Sequence, residues 1–473
     1  METFDEVWHA IADENVDALP SDVDWNAIGE EFRPRAAEVR SNAELRILLE
    51  SMLARLGRSH YGIIPGDLAE ADDAAAPPPD NQHDDRAHVG DVHQHADGST
   101  HRDDEPTGGS GDLGVWFRRV ERSIRTVNPR PDGPAAAAGI QAGWELVAIN
   151  GHRVHVPIDD LEPIERSLLF SPPKPGDAMR RYHAEHAAAS RPLCDPGETQ
   201  LLTLRDSEGV ERQIPITAVS AGGEIVEFGN LPPLEARVET RLITPDEFAV
   251  AGLGDVQPPK RIGLIAFNIW MLPTGSAIDD AVDRYRDADA IILDLRGNPG
   301  GVGGLAMGIG GHFLSDPDSL GRMTNRGGAI DFRVNPRRVT TDGRRVEPYA
   351  GPLVILIDPL TASTSEIFAA GLQELGRATV IGQTSAGAAL PSIARRLPNG
   401  DVLQMAVADF MTPKGNRIEG RGVTPDVEVT LTAELLRREP DPTLAAALRS
   451  ILAGYAPASR RSTTPPPQSA SGG

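Results

Sequence analysis

A run of apolar residues that leads directly into a helix constrains the fold of this chain more than any other feature. Residues 353–357 read Leu-Val-Ile-Leu-Ile, which has the length and composition of a fully buried strand. From Glu366 onward, apolar residues recur at helical spacing. Ser365 therefore falls in the first turn of a helix, where backbone N–H groups lack intrahelical partners and favour a developing negative charge.

A second strand-to-turn segment lies upstream, at residues 290–301. Its glycines, Gly300 and Gly301 among them, can expose a backbone N–H with no side chain in the way. Together with Ser365 they suggest a nucleophile and an oxyanion pocket. Two alternatives stay open, because a serine at a helix start is commonly a cap and residues 301–306 also fit the dinucleotide-binding pattern G-x-G-x-x-A.

Three short motifs resemble those of a known family. Residues 294–301, 361–366 and 418–426 are similar to the core motifs of the S41 serine peptidases, the tail-specific or carboxyl-terminal processing proteases. The resemblance implies a multidomain α/β protein, with a crotonase/ClpP-like α/β catalytic core over residues 222–455. It also implies that the second serine of the S-x-S-E segment, Ser365, is the nucleophile.

The resemblance further places the oxyanion hole at the amide of Glu366 and in the turn formed by Gly300 and Gly301. The commoner branch of the family carries a lysine base downstream of the serine, but Ala388 stands at that point here. A Ser-Lys dyad therefore cannot form. Because a serine hydroxyl still needs a base to become a useful nucleophile, we expect a histidine to take this role.

His60 is the candidate base. Residues 45–56 predict an amphipathic helix, which a glycine ends just before Ser59 and His60. This segment resembles the tricorn-like branch of S41, in which a histidine after a serine acts as the base and a downstream glutamate completes a tetrad. The resemblance implies that Glu419, directly or through Ser59, holds the imidazole tautomer while the base serves Ser365.

Residues 112–221 resemble a PDZ domain of the bacterial protease type, with a helix inserted at residues 176–189. Such domains add a peptide strand to a sheet edge and capture a terminal carboxylate with backbone amides. The candidate peptide-binding loop is Leu113, Gly114 and Val115. The alternative is a generic small β-rich domain.

Composition limits the class of partner. The chain has 473 residues and a formal charge of −23, which argues against a nucleic-acid surface or an anionic membrane. No stretch approaches the roughly 18 apolar residues of a membrane span, so we expect no membrane insertion. The single cysteine, Cys194, excludes an internal disulfide and gives no metal framework. No cofactor is expected, and the sequence does not specify an oligomeric state.

The remaining segments complete the predicted domain order. Residues 1–66 predict a helical N-terminal domain. Residues 67–111, an acidic and histidine-rich insertion, and residues 456–473, a Pro- and Ser-rich tail, predict disorder. The N-terminus shows neither the basic start nor the apolar run of a signal peptide, which predicts a cytoplasmic protein, or an extracytoplasmic one if a leader is missing from this chain.

These patterns predict a serine peptidase that cleaves peptide bonds of polypeptide substrates, in unfolded or C-terminal segments. The alternative is a catalytically inactive ligand- or peptide-binding protein on the same scaffold, in which Ser365 is only a helix cap. A nucleotide-binding enzyme that uses residues 301–306 is a further alternative. Peptide or protein is the expected partner in the first two cases.

Overall fold

The computed structural model describes residues 1–14, 23–66, 111–154, 178–231, 233–253, 261–325 and 327–455. The α-helices in these ranges are α1 (Glu2–Glu14), α2 (Trp25–Glu38), α3 (Asn42–Leu53), α4 (Pro134–Ala137), α5 (Ala178–Ser190), α6 (Pro245–Val250), α7 (Leu272–Arg284), α8 (Gly303–Gly310), α9 (Thr364–Glu374), α10 (Ala433–Arg438) and α11 (Pro442–Tyr455).

The strands in the same ranges are β1 (Gly62–Ile64), β2 (Gly111–Asp112), β3 (Trp116–Val120), β4 (Ser123–Val127), β5 (Glu145–Ile149), β6 (His152–Arg153), β7 (Thr199–Arg205), β8 (Glu211–Thr217), β9 (Val219–Ser220), β10 (Glu224–Val226), β11 (Leu234–Ala236), β12 (Val238–Leu242), β13 (Ile262–Phe267), β14 (Ala290–Asp294), β15 (Asp318–Asn325), β16 (Gly328–Val334), β17 (Leu353–Ile357), β18 (Thr379–Gly382), β19 (Ser392–Arg396), β20 (Val402–Ala406), β21 (Asp409–Met411) and β22 (Val427–Glu428).

The N-terminal helices pack on the rest of the protein. Their apolar faces share one buried cluster with Leu403 and Met405 of β20. Strand β1 pairs antiparallel with β20, and Arg46 of α3 forms an ion pair with Asp401 at 2.7 Å. Because Asp401 is almost fully buried, this pair and the strand pairing fix the chain that follows α3 against the core.

The β-rich unit forms a sheet in the order β3-β4-β5-β7-β8, with β6 on β5, and β2 pairs with β9. Helix α5 lies against β3, at the position where the sequence predicts an inserted helix. Arg118 of β3 reaches the core and donates through Nε to Asp358 Oδ2 at 3.1 Å. Asp358 Oδ1 also accepts the Gly297 N–H at 2.8 Å, so this buried ion pair joins the β-rich unit to two core loops.

The core is a sheet in the order β12-β13-β14-β17-β18-β22, parallel except for β12. Alternate residues of the central strands enter two separate apolar clusters. Helices α7, α8 and α9 cover one face, and α6 and α11 cover the other. Strand β17 is buried along its whole length, which confirms the strand predicted at residues 353–357 and follows from helices covering both faces.

The predicted mixed α/β fold is confirmed. After α8, however, the chain enters β15, which pairs antiparallel with β16 and β21 in a separate sheet. A dinucleotide-binding loop leads from a strand through a helix directly into the next parallel strand, so the antiparallel strands that follow α8 argue against the nucleotide alternative at residues 301–306. None of the helices in the described ranges combines the length and apolar character needed to cross a membrane.

Candidate active site

The turn between β17 and α9 holds its first serine in a strained conformation. Ser363 is the N-cap of α9, with φ 54° and ψ −121°, a region that residues with a side chain rarely adopt. Its N–H donates to Ala388 O at 2.8 Å and to Glu366 Oε2 at 3.1 Å. Ser363 is also partly exposed. The turn therefore presents the Ser363 side chain at the surface.

Ser365 lies two residues further along α9 and is more deeply buried. It is 0% exposed, and its Oγ accepts a hydrogen bond from Trp270 Nε1 at 2.8 Å. The prediction that Ser365 starts the helix is correct, but a nucleophile must be reached by substrate, and burial argues against Ser365 in that role. Sequence reasoning missed Ser363, since helical position alone did not separate the two serines. The signal that separates them is the positive φ of the junction.

The glycine turn approaches the same junction very closely. A Cβ on Gly300 would lie 2.6 Å from the Ser363 Cβ, and one on Gly301 would lie 2.4 Å from Trp270 O. Both residues have positive φ, 102° and 136°. Glycine is therefore required at both positions because of space and of backbone conformation.

The predicted oxyanion donors differ in whether their N–H is free. Gly300 N donates to Asn298 Oδ1 at 2.9 Å, and Glu366 N donates to Ser363 O at 2.9 Å, so both are already bonded. Among the contacts of the described residues, neither Gly301 N nor Thr364 N donates a hydrogen bond. Thr364 directly follows Ser363, and Gly301 follows the glycine whose added Cβ would lie 2.6 Å from the Ser363 Cβ. Thr364 is a further residue that the sequence did not indicate.

Glu366 has an unusual carboxylate. It is fully buried and accepts from Ser385 Oγ at 2.5 Å, Gly387 N at 2.7 Å, Ala388 N at 2.9 Å and Ser363 N at 3.1 Å. Burial raises the pKa of Glu366 to about 7, while these four hydrogen bonds act in the opposite direction. The carboxylate thus orders the segment in which the commoner branch carries its lysine.

The predicted base group comes together in space. Glu419 Oε2 lies 2.8 Å from Ser59 Oγ, and Ser59 Oγ lies 2.8 Å from His60 Nδ1. Glu419 also accepts from Ser59 N at 2.8 Å and from Ala389 N at 3.1 Å. Ser59 is 1% exposed, so this set is a built polar cluster in the interior and not a chance surface contact.

The hydrogen bonds assign the tautomer of His60. An ionised Glu419 only accepts, so the Ser59 O–H donates to it and Ser59 Oγ accepts from His60 Nδ1–H. This leaves Nε2 of His60 with a free lone pair. Burial lowers the pKa of His60 to about 4, which keeps the ring neutral at neutral pH. Burial also raises the pKa of Glu419, against the effect of its hydrogen bonds.

Adjacent residues connect the two halves of the site. Ala388 O accepts from Ser363 N, and the next residue, Ala389, donates its N–H to Glu419. The turn that bears Ser363 and the cluster of Ser59, His60 and Glu419 are therefore connected by the short backbone segment of Ala388 and Ala389. Among the described residues, no hydrogen bond joins the His60 ring to Ser363 or Ser365.

The predicted peptide-binding loop lies in the β-rich unit. Leu113 and Val115 are buried, and Gly114 has φ 72°. The Gly114 N–H donates to Asp112 Oδ1 at 2.7 Å, and an ion pair joins Asp112 to Arg130 at 2.6 Å. The loop amide that would meet a carboxylate is thus engaged by a carboxylate of the chain itself.

Helix α5 touches both the β-rich sheet and the candidate site. Glu185 accepts the Arg119 N–H of β3 at 3.1 Å, and burial raises the pKa of Glu185 to about 7. On the same helix, Tyr182 packs against an apolar cluster that includes Ala362 and Ala388. Ala362 precedes Ser363, so this helix lies beside the nucleophile turn.

Within the described residues, no group of three or more His, Cys, Asp and Glu side chains could hold a metal ion. The histidine-rich insertion lies outside them, apart from Gly111, as does the tail at 456–473. The predictions for those segments therefore stay predictions.

Comparison with known proteins shows that two parts of the chain match models of described families. Residues 261–429 match the family model described as "Peptidase family S41", and residues 1–54 match "Tricorn protease C1 domain". The chain is 30% identical over 234 residues to a carboxyl-terminal-processing protease of Synechocystis sp., covering 49% of this chain and 52% of the relative.

It is 27% identical over 315 residues to the chloroplastic carboxyl-terminal-processing peptidase 3 of Arabidopsis thaliana, covering 64% of this chain and 51% of the relative. The chain thus spans about half the length of these curated relatives.

Two solved structures share the fold. The photosystem II D1 C-terminal processing protease superposes with a TM-score of 0.51 at 19% identity, covering 94% of this chain and 96% of that one. Mature CPAF superposes with a TM-score of 0.55 at 12% identity, covering 96% and 97%. At these identities the likeness shows the fold alone.

Proposed function

We propose that the protein is a serine peptidase that cleaves polypeptides, with Ser363 as the nucleophile. This serine lies within residues 261–429, the span that matches the model of peptidase family S41. The observation that carries the proposal is the Ser363 turn. A partly exposed serine in a strained conformation is followed by Thr364 and contacts the turn of Gly300 and Gly301. The N–H groups of Thr364 and Gly301 have no acceptor among the described residues. Strain at a functional turn persists only where the surroundings enforce it.

His60 supplies the base in this proposal. Its Nε2 takes the Ser363 proton as Oγ attacks the carbonyl carbon of the substrate, and then returns it to the leaving amine as the C–N bond breaks. Water then hydrolyses the acyl-enzyme with the same base. Ser59 and Glu419 hold the tautomer and stabilise the imidazolium. In substrate-free enzymes catalytic hydrogen bonds are often long or absent, which accounts for the missing bond between His60 and Ser363.

Gly301 N and Thr364 N serve as the oxyanion hole. Both lie beside Ser363 and have no acceptor among the described residues, as a preorganised donor pair requires. Of the oxyanion donors predicted from the sequence, only Gly301 is kept in this proposal. The N–H groups of the other two, Gly300 and Glu366, are bonded elsewhere. Thr364 takes the second place.

The substrate class follows from two supports. Curated relatives are named for carboxyl-terminal processing, and we propose the same kind of substrate here. The β-rich unit would act as the PDZ-like receptor, since β3 is an edge strand of its sheet and edge strands accept an added peptide strand. Leu113, Gly114 and Val115 would take the terminal carboxylate once Asp112 is displaced.

The inactive binding protein is the competing hypothesis. A binding protein could keep the same fold without a neutral His60 ring and without hydrogen bonds that fix the tautomer of that ring. It would also not need the unbonded amides of Gly301 and Thr364 near Ser363. The presence of Ser59, His60 and Glu419 in one hydrogen-bonded cluster therefore favours the peptidase.

The test is covalent labelling with a fluorophosphonate probe, in which serine Oγ attacks phosphorus, fluoride leaves and the proton passes to His60. The full chain is labelled and the adduct located by mass spectrometry in wild type, Ser363→Ala, Ser365→Ala and His60→Ala. We expect an adduct on Ser363 that is absent in Ser363→Ala and His60→Ala. An adduct on Ser365 that survives Ser363→Ala would overturn the choice of nucleophile, and no adduct on any folded variant would support the binding protein.

A further inference from the structure

We propose that Trp270 and Ser365 are a positioning pair, whose buried hydrogen bond holds the Gly301 N–H in place beside Ser363. This inference rests on the proposed function and gives a role to the serine that is too deeply buried to be the nucleophile. Neither residue touches the reacting atoms in this proposal. They act through the glycine turn.

The contact itself is closed off from solvent. Trp270 Nε1–H donates to Ser365 Oγ at 2.8 Å, and both residues are 0% exposed. The indole ring meets Phe267 in an edge-on contact and Phe368 in a tilted one, with ring centroids 4.9 and 5.1 Å away. The ring is therefore held by two aromatic contacts and, at its one polar atom, by Ser365.

The backbone of Trp270 forms hydrogen bonds with the turn that contains Gly300 and Gly301. Its N–H donates to Gly300 O, and its C=O accepts from Val302 N, each at 2.8 Å. These two bonds flank Gly301 on both sides and form a parallel bridge with it. Any displacement of Trp270 is thus transmitted to the Gly301 amide, which has no hydrogen bond of its own among the described residues.

The nucleophile helix holds the same turn from the other side. Thr364 Oγ1 donates to Gly301 O at 2.8 Å, and Thr364 directly follows Ser363. The N-cap and first turn of α9 therefore contain the proposed nucleophile, Ser363, and one proposed oxyanion amide, that of Thr364. Through Ser365 and Trp270, the same turn also positions the other amide, that of Gly301. The spacing of the two amides is set by this ring of contacts.

Removal of the buried Ser365 hydroxyl is expected to destabilise the fold locally. The indole N–H would be left without an acceptor in the core, which is unfavourable for a buried donor. The turn can relieve this only by moving Trp270. Since catalysis depends strongly on donor position, the reaction rate should respond more than the binding of the probe.

The experiment measures fluorophosphonate labelling of the full chain at several probe concentrations, so that the maximal rate and the half-saturating concentration are separated. The variants are Ser365→Ala, Trp270→Phe, which keeps an aromatic ring but lacks the N–H, and the double variant. The matched control is Thr126→Val, which removes another fully buried hydroxyl hydrogen bond, far from the site in the β-rich unit.

We expect each single variant to lose roughly 10- to 100-fold in the maximal labelling rate, with an unchanged half-saturating concentration. The double variant should lose no more than either single one, because both remove the same bond. Thr126→Val should keep the wild-type rate even though its melting temperature falls.

Three results would overturn the inference: maximal rates within twofold of wild type in Ser365→Ala and Trp270→Phe, additive losses in the double variant, or an equal loss of rate in Thr126→Val. These results differ from failure of the proposed function. If Ser363→Ala is still labelled, at Ser365, the nucleophile assignment fails, and Ser365→Ala would then abolish the adduct completely instead of slowing its formation.

Discussion

The turn at residues 361–366 and the segment at residues 57–60 each carry one partner of the proposed proton transfer, but the protein holds them differently. Every fixed polar contact of the turn comes from the core, within the span that matches the peptidase family. The base segment lies far earlier in the chain and is held by one core carboxylate, that of Glu419, and by the pairing of β1 with β20.

This difference separates two tasks. In the proposed mechanism the nucleophile and its oxyanion donors need fixed geometry, and the core supplies it through strain, glycine and buried hydrogen bonds. The proposed base must reach Ser363 when substrate is present. Its attachment through Ser59 and Glu419 fixes the tautomer of the ring, while no hydrogen bond among the described residues fixes the ring to Ser363. We therefore expect substitutions around His60 to lower kcat with little effect on the free energy of unfolding. Substitutions in the turn at residues 361–366 should lower the free energy of unfolding as well.

The base side can be tested by Glu419→Gln. The amide cannot accept from all of its present donors, so Ser59 no longer holds the Nδ1–H tautomer. We expect kcat on a cleaved peptide to fall by up to about 10⁴-fold with little change in KM, by analogy with loss of the orienting carboxylate in other serine peptidases. Steady-state kinetics measures this.

Ser59→Ala is the matched variant, because it breaks the same relay at the next atom. The two losses should be similar and not multiply when combined. A normal kcat in Glu419→Gln would show that His60 is oriented by something else and would remove the relay from the comparison.

The turn side can be tested by Glu366→Gln. The amide NH₂ would face at least one of the N–H and O–H donors that now meet the carboxylate. We expect the free energy of unfolding to fall by roughly 2–3 kcal/mol, measured by urea denaturation. Glu374→Gln, at the far end of the same helix, is the control and should change it by less than about 1 kcal/mol.

A stable Glu366→Gln with a loss of kcat as large as that of Glu419→Gln would contradict the division of tasks. It would place Glu366 among the residues that act on the reaction, and the turn would no longer be the stabilising half.

The smallest effect concerns pH. Burial lowers the pKa of His60 to about 4, so the neutral, active ring persists at acid pH and is lost only as pH falls through that value. We expect the acid limb of kcat/KM for the free enzyme to lie below pH 5, instead of near the ordinary histidine pKa of about 6.5. A limb near 6.5 would show that the segment at 57–60 is open to water when the enzyme is free.

The same shift affects stability with a defined sign. A histidine whose pKa is lowered on folding favours the folded state above about pH 6.5 and loses that contribution as pH falls towards 4. His60→Gln should therefore lose less stability than wild type between these pH values, which denaturation curves at both ends of the window would detect.

Some of this site could be predicted from the sequence and some could not. The strand at 353–357 and the helix after it follow from local apolar patterns, and the family motifs named the glycine turn. The choice between Ser363 and Ser365 could not be made locally, because it depends on a positive φ and on Trp270, which lies 95 positions away in the sequence. The N–H groups of Gly300 and Glu366 are bonded within their own turns, to Asn298 Oδ1 and Ser363 O, and it is the backbone geometry of these turns that reveals it.

The packing of α5 on β3 affects how a peptide strand could bind at the edge of the sheet. Glu185 occupies the Arg119 N–H, a group on the open edge that an added peptide strand would use. An incoming strand and Glu185 are therefore mutually exclusive occupants of that edge. Tyr182 of the same helix packs beside the turn that bears Ser363, so α5 is a direct physical link between that edge and the turn.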